Sequence, residues 1–203
     1  MTSTQPPDDA VAPGRRARKK AATRQALADA ALELFFERGF DAVGVKDVAD
    51  AADVSVATLF KHFPNKESLV FDDDLSEEEG LVAAVRDRPP GAHVVASLRD
   101  HVLRRRVADV QADPRFPAFV QLVRDTPALG AHAEQMWLRH EGALARALAE
   151  ETGAPVGSCA ALARFVLDTA ASAGVRADGH VYVLGAFAIL ERGWGEGSAA
   201  ARA

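Results

Sequence analysis

The chain has 203 residues, of which 48% are hydrophobic, and its formal net charge is −5. This length allows one large domain or two small ones with a buried core, and the single cysteine, Cys159, excludes an internal disulfide. No stretch approaches the roughly 18 apolar residues of a membrane helix, and the N-terminus lacks the pattern of a secretory signal. We therefore expect a soluble cytoplasmic protein with no membrane partner, no metal and no cofactor.

Positive charge is concentrated in the N-terminal third of the chain. Residues 15–70 carry ten Lys and Arg against eight Asp and Glu, and the remainder is acidic. A local basic region can bind a polyanion even when the whole chain is acidic. The densest run, residues 15–20, opens a helical pattern, where cations oppose the helix dipole. It is therefore either a solvated charge run or a contact for an anion.

The predicted elements of the first third are helices. Residues 1–14 are rich in Pro, Asp, Thr and Ser and are expected to be disordered, whereas residues from Arg15 to the stop at Gly39 have helical apolar spacing. Two short helices follow at about 45–51 and 55–62. The tight turn between them gives the spacing of a helix-turn-helix, and Ser55 is placed to cap the second helix.

The rest of the chain also has helical patterns. A fourth helix is predicted from the cap Asn65 to the breaker Pro89, with a kink at the acidic run DDDLSEEEG. No alternating strand pattern competes with the helices beyond it. These are predicted at 92–112, 115–125, 128–151, 156–174 and 178–192, followed by a flexible tail at 194–203.

Residues 34–70, LFFERGFDAVGVKDVADAADVSVATLFKHFPNKESLV, resemble the DNA-binding domain of TetR/AcrR-family transcriptional regulators. Positions that recur in this family are matched in register by Gly39-Phe40, Val48-Ala49, Val54-Ser55, Thr58-Leu59-Phe60, Phe63 and Lys66-Glu67. The chain departs from the family at three places: Gly44 stands where threonine is common, Asp53 where the turn has glycine, and Phe60 where tyrosine is frequent.

The resemblance implies an all-α fold with a helix-turn-helix domain at 15–70 and a helical effector-binding and dimerisation domain at 71–193. It implies a one-component regulator, with repression favoured, that binds a palindromic operator in double-stranded DNA as a homodimer. A small organic effector would release the DNA. The alternative reading is an all-helical protein-interaction module that does not bind DNA.

The helix that starts at Ser55 suits a major groove, because its small N-terminal residues allow close approach to base edges and phosphates. Basic side chains nearby can contact phosphates, and the family resemblance adds a phosphate clamp at the start of the following helix. The expected DNA-binding residues are Arg15, Arg16, Arg18, Lys19, Lys20, Lys46, Ser55, Val56, Ala57, Thr58, Phe60, Lys61, His62 and Lys66.

The C-terminal helices carry two further predicted sets, suggested by the family's ligand cavity and four-helix dimer interface. Bulky or polar-tipped residues could line a ligand wall, although each could equally be simple core: Phe116, Phe119, Met136, Trp137, His140 and Phe165. Apolar and small residues at close-packing spacing are expected at the dimer interface: Leu162, Val166, Thr169, Ala173, Val183, Ala186, Phe187 and Leu190.

An enzyme is not expected, and no catalytic residue is assigned. The histidines do not form an H-E-x-x-H pattern, and Cys159 has no suggestive histidine nearby in the sequence. The glycines of GWGEG follow a helical pattern rather than a strand, so they do not fit a dinucleotide-binding loop.

Overall fold

The computed structural model describes residues 14–72, 74–105 and 113–200, with side chains as far as Arg192. Within these ranges the regular structure is entirely helical, which confirms the predicted all-α fold. The predicted disorder before Gly14 lies outside the described residues. The helices are α1 (Arg15–Arg38), α2 (Val45–Ala51), α3 (Val56–His62), α4 (Asp74–Arg86), α5 (Val94–Val102), α6 (Phe116–Asp125), α7 (Pro127–Thr152), α8 (Val156–Gly174) and α9 (Gly179–Ala200), with a 3-10 turn at Glu67–Leu69.

Tertiary contacts divide the chain into two compact units, with the boundary after Asp72. In the first unit α2 packs against both α1 and α3, and the 3-10 turn packs against α1. Its core is built from the apolar positions that recur at helical spacing, with the rings of Phe35 and Phe40 5.0 Å apart. Leu27, Ala31, Phe35, Val48, Leu59, Phe63 and Leu69 are almost completely buried.

The turn between α2 and α3 ends α2 with a Schellman motif. The amide of Val54 donates to the carbonyl of Ala49 (2.9 Å), and the amide of Asp53 donates to that of Asp50 (3.2 Å). This motif needs a left-handed residue at its fifth position, usually glycine. Asp53 fills it with φ +51°, and is the one non-glycine residue with positive φ in the described part of the chain.

The second unit is a layered bundle in which α7 packs against α4, α6 and α8, while α5 packs against α4, α8 and α9. Its core draws on five of these helices, with Leu81, Leu98, Leu144, Val166 and Phe187 nearly inaccessible to solvent. Among the described residues, no helix is both long and apolar enough to span a membrane.

Two predicted boundaries were wrong. Asn65 does act as a cap, because its Oδ1 accepts from the amide of Ser68 (2.8 Å), but only a 3-10 turn follows and the helix restarts at Asp74. At the other end, α9 continues to Ala200, so most of the predicted tail is helical. In α5, the predicted extension through residues 106–112 falls outside the described chain.

We predict that Asp53→Val lowers the free energy of unfolding of the first unit by about 1–2 kcal/mol, because a β-branched side chain is poorly tolerated in the left-handed region. Asp53→Asn is the matched control and is expected to change it by no more than about 0.5 kcal/mol. Urea denaturation of the whole chain, followed by hydrogen exchange at the α2 and α3 amides, measures both. Equal losses for the two variants would show that the turn does not impose this backbone conformation.

Candidate nucleic-acid interface

Helix α3 has one buried edge and one exposed face. Leu59 within it and Phe63 just after it are fully buried, and they hold the helix on the first unit. Ser55 caps it, since its Oγ accepts from the amide of Thr58 (3.1 Å) and lies 2.9 Å from the Thr58 hydroxyl. The exposed face carries Ala57, Phe60 and Lys61, with Val56 and Thr58 half-buried beside it. The predicted recognition residues therefore lie on one accessible surface.

The predicted basic residues differ in their surroundings. Arg15, Arg16, Arg18, Lys19 and Lys20 are all exposed, and they form the first turns of α1. Lys46 is exposed but bound to Asp50, with 2.5 Å between its Nζ and the carboxylate. That hydrogen bond raises the pKa of Lys46. Part of its charge is therefore neutralised before it meets any anion.

Lys66 does not extend into solvent as a phosphate clamp would. Its side chain is half-buried, and its ammonium donates to the carbonyl of Phe40. The nitrogen also lies 4.0 Å from the centroid of the Phe40 ring, a cation–π contact. The ammonium joins the 3-10 turn to the loop after α1, and the contact of Lys66 with a phosphate stays a prediction.

Arg24 has a structural role that the sequence analysis did not predict, because there it was counted only as a cation. Its guanidinium donates to the carbonyls of His62 (2.7 Å) and Asp72 (3.1 Å), and its Nε lies 2.6 Å from the Asp72 carboxylate. It also lies 4.3 Å from the centroid of the Phe63 ring. Arg24 therefore anchors the C-terminus of α3 to α1. No local sequence signal marks this role, since its partners are 38 and 48 residues away.

His62, predicted to donate to a phosphate, lies at the end of α3 among cations. Its ring is half-buried, and its Nδ1 is inaccessible and has no hydrogen-bond partner in the described protein. Burial is the main cause that lowers the pKa of His62, and the positive charges of Lys20 and Arg24 lower it further against an opposing effect of Asp72. The imidazole is thus held neutral over a wider pH range than a free histidine.

The residues predicted for a dimer interface occupy the inside of the second unit. Val166, Val183 and Phe187 are fully buried in the core of a single chain, as are Leu162, Thr169 and Ala173, while Ala186 and Leu190 are half-buried. A side chain enclosed by its own protomer cannot contact a partner, so the six buried positions belong to the core of the second unit, whereas Ala186 and Leu190 remain partly accessible and stay predicted interface residues. The outward face of α9 instead exposes 69% of Val181, 40% of Leu184 and 70% of Ile189.

The residues predicted for a ligand wall form separate contacts. The rings of Phe116 and Phe119 stack 5.9 Å apart on α6, whereas Phe165 meets the ring of Phe187. On α7, Met136 is buried, and Trp137 approaches His140 edge-on with ring centroids 5.8 Å apart. An open groove of about 500 Å³ between α4 and α7 is lined by none of the six; Val82, Arg86, Ala143, Arg146 and Glu150 are among its lining residues.

We predict that His62 makes the first unit less stable in mild acid. Both folded and unfolded chains carry a neutral imidazole well above the ordinary histidine pKa of about 6.5. As the pH falls through that value, the unfolded chain binds the proton first, so the free energy of unfolding decreases until the folded pKa is passed.

Replacing His62 with Gln removes this group and is expected to flatten that part of the profile. Urea denaturation of both proteins between about pH 7 and pH 5, read at the α3 amides, isolates the contribution of His62 from those of the other histidines. A profile identical to that of the parent chain would mean that His62 titrates alike in the folded and unfolded states.

Sequence comparisons agree with this helix-turn-helix geometry. A family profile described as "Bacterial regulatory proteins, tetR family" matches residues 27–72. The HTH-type transcriptional regulator TcmR of Streptomyces glaucescens is 32% identical over 147 residues, which are 70% of this chain and 65% of TcmR. The HTH-type transcriptional repressor KstR2 of Rhodococcus jostii is 47% identical over 51 residues, a quarter of each chain. The chain thus spans less than two thirds of both relatives.

Solved structures extend the likeness beyond the first unit. A TetR-family regulator from Streptomyces coelicolor A3 has a TM-score of 0.58 and 25% identity, and the match covers 87% of this chain and 98% of that one. The SmeT–triclosan complex has a TM-score of 0.57 at 20% identity over 83% and 91% of the two chains, which shows a shared fold. With the helix-turn-helix and the family profile in the same residues, the chain belongs to the TetR family of transcriptional regulators.

Proposed function

We propose that the protein is a repressor that binds a palindromic operator as a homodimer and releases it when a small molecule binds the second unit. The observation that carries the DNA-binding part is the exposed face of α3, where small residues follow a Ser55 cap and Lys61 is free of the core. Small side chains at a helix N-terminus allow its amides and hydroxyls to approach base edges and phosphates closely.

The distribution of charge supports two kinds of DNA contact. The exposed cations from Arg15 to Lys20 are suited to the phosphate backbone, which carries no sequence information. Lys61 is suited to a base acceptor in the major groove, because it lies on the face that α3 presents. Asp53 works against binding, since its exposed carboxylate lies in the turn just before Ser55.

The homodimer is proposed to form through the outward faces of α8 and α9. On α9 the exposed Val181, Leu184 and Ile189 lie opposite the buried Val183 and Phe187, so this helix is apolar on both sides. Gly185 lies in the same outward stripe, and a Cβ added there would meet nothing within 4 Å, which leaves room for a close helix crossing. A second copy that uses the same face would bury this stripe around a twofold axis.

The proposed effector acts on a dimer whose two α3 helices read two half-sites. Half-sites read by two α3 helices are expected about 34–36 Å apart along DNA. A ligand releases the operator only if it binds the DNA-incompetent state more tightly, by a typical coupling of about 1–3 kcal/mol. The SmeT structure of the same fold is a triclosan complex, which supports a small-molecule role for such a helical unit.

The proposed function is tested by comparing Lys61→Ala with Lys66→Met on DNA selected from a random pool. Lys61→Ala is expected to weaken specific binding by about 1–3 kcal/mol and to relax preference at one operator position. Lys66→Met keeps the length of the side chain and loses the contacts with Phe40, so it is expected to lower stability more than affinity. Fluorescence anisotropy at several salt concentrations, with urea denaturation in parallel, separates the two effects.

A failure to select any DNA sequence would contradict the proposal and favour a protein-interaction module. A uniform loss across all sequences for Lys61→Ala would assign Lys61 to phosphate contact alone. Binding that does not weaken as salt rises would exclude the proposed backbone contacts from Arg15 to Lys20.

We predict that Val181→Arg with Ile189→Arg converts the protein to folded monomers and abolishes tight operator binding, because two charges per chain would enter an apolar interface. Val183→Arg is the matched control on the buried face of α9, where it is expected to unfold the second unit instead. Analytical ultracentrifugation and circular dichroism distinguish the outcomes. A double variant that remains dimeric would place the interface elsewhere.

A further inference from the structure

We propose that the second unit binds a neutral hydroxylated aromatic compound at two buried histidines, His140 and His101, which are held against one face of α4. The inference rests on the proposed effector role of this unit and gives that effector a chemical class. It is carried by two imidazole nitrogens that are buried without a hydrogen-bond partner in the described protein.

His140 lies on α7 with a completely buried side chain. Its Nε2 is 2.7 Å from Oδ1 of Asp74, while Oδ2 of that carboxylate is 2.5 Å from Arg139. A carboxylate only accepts hydrogen bonds, so Nε2 carries a proton toward Asp74, and the tautomer with this single proton presents Nδ1 as an acceptor. An unpaired buried acceptor is costly, and a hydroxyl group that donates to it would remove that cost.

His101 repeats this arrangement on α5. Its side chain is 92% buried, and its Nε2 lies 3.7 Å from Oε1 of Glu77, too far for a hydrogen bond. Gly80 on α4 makes space for the ring, because a Cβ there would approach Cε1 of His101 to 2.7 Å. The ring is therefore fixed in position while its Nε2 has no hydrogen-bond partner in the described protein.

The two histidines meet α4 within one helical turn. Asp74 and Glu77 are three residues apart, so they project from the same face of the helix. One carboxylate contacts the imidazole from α7 and the other faces the imidazole from α5. Both imidazoles thus lie against the first turns of α4, and the ring atoms without a partner in the described protein are Nδ1 of His140 and Nε2 of His101.

The surrounding charges select a neutral ligand. Asp74 is paired with Arg139, and Glu77 lies 3.6 Å from Arg105, so neither sign of charge is left to attract an ion. No group of three or more histidines, cysteines or carboxylates in the described residues is arranged to hold a metal. The unmet requirement is for a donor to Nδ1 of His140, which a hydroxyl group satisfies.

An aromatic ring is the part of the ligand proposed to contact Trp137, which lies beside His140. Trp137 lies edge-on to that imidazole with ring centroids 5.8 Å apart, and its indole packs against the hydrophobic core. A planar ring whose hydroxyl reaches Nδ1 can lie against this indole and gain an aromatic contact. A phenolic compound combines both features, and replacing its hydroxyl hydrogen by a methyl group removes the donor while the ring is kept.

The test compares two aromatic alcohols, phenol and 2-naphthol, with their methyl ethers, anisole and 2-methoxynaphthalene. It uses the full chain with Trp194→Phe, so that Trp137 is the remaining tryptophan. Quenching of Trp137 gives the dissociation constants, and the ¹⁵N resonance of His140 Nδ1 reports whether that nitrogen accepts a hydrogen bond. We expect at least one alcohol to bind about tenfold more tightly than its ether and to shift the Nδ1 resonance.

Two substitutions at His140 form a matched pair. His140→Gln keeps an amide at the position of Nε2, near Asp74, and places nothing at Nδ1, so it is expected to abolish the preference for the alcohols. His140→Asn keeps a polar atom near the position of Nδ1 and is expected to retain part of it. The parent-chain ¹⁵N measurement stands by itself if either variant fails to fold. Equal affinity for alcohols and ethers, or an Nδ1 resonance that neither alcohol shifts, would overturn the proposal.

Operator binding measured in the same samples separates this inference from the proposed function. Alcohol binding at His140 that leaves operator affinity unchanged would support the site and contradict its effector role. Tight operator binding by a chain whose His140 responds to no alcohol would leave the regulator intact and reject the site.

Discussion

The guanidinium of Arg24 joins the C-terminus of α3 to α1 and adds directional contacts to the buried Leu59 and Phe63. A seven-residue helix is unstable by itself in water, so its orientation must come from tertiary contacts. Arg24 supplies them at the C-terminus of α3 through the carbonyl of His62, the ring of Phe63 and the carboxylate of Asp72. Charge-assisted hydrogen bonds of this kind are stronger than hydrogen bonds between neutral groups. Two cations of the basic unit, Arg24 and Lys66, therefore fix the fold instead of extending toward an anion.

Local patterns in the sequence predicted most of the fold because the signals act over a few residues. The Ser55 cap, the stop at Gly39 and the apolar spacing of α1 each involve neighbours within about one turn. The role of Lys66 could not be predicted in this way, since its ammonium meets a carbonyl 26 residues earlier in the chain. A basic residue at a helix start looks the same in sequence whether it faces solvent or an internal carbonyl.

The same limit explains why six of the eight predicted dimer residues lie in the core of the protomer. Helical spacing identifies an apolar face, but it does not say whether the protomer's own core or a second chain covers that face. On α9, Val183 and Phe187 form the stronger apolar repeat, and the protomer uses it for its own core. Val181 and Ile189 remain exposed on the opposite side. A helix that is apolar all round needs two partners, and only the structure shows which face is already occupied.

The acidic run at the start of α4 has a structural role that its composition alone does not indicate. Carboxylates in the first turn complement the helix dipole, which explains why α4 begins at Asp74 rather than bending there. Two of these acids also contact other parts of the second unit, because Asp74 pairs with Arg139 and the buried His140 of α7, and Glu77 lies 3.7 Å from the buried His101 of α5. The first turns of the helix that follows the boundary at residue 72 are therefore fixed by polar contacts, which depend on geometry far more than apolar packing does. A compound that adds one hydrogen bond to either histidine acts directly on those contacts.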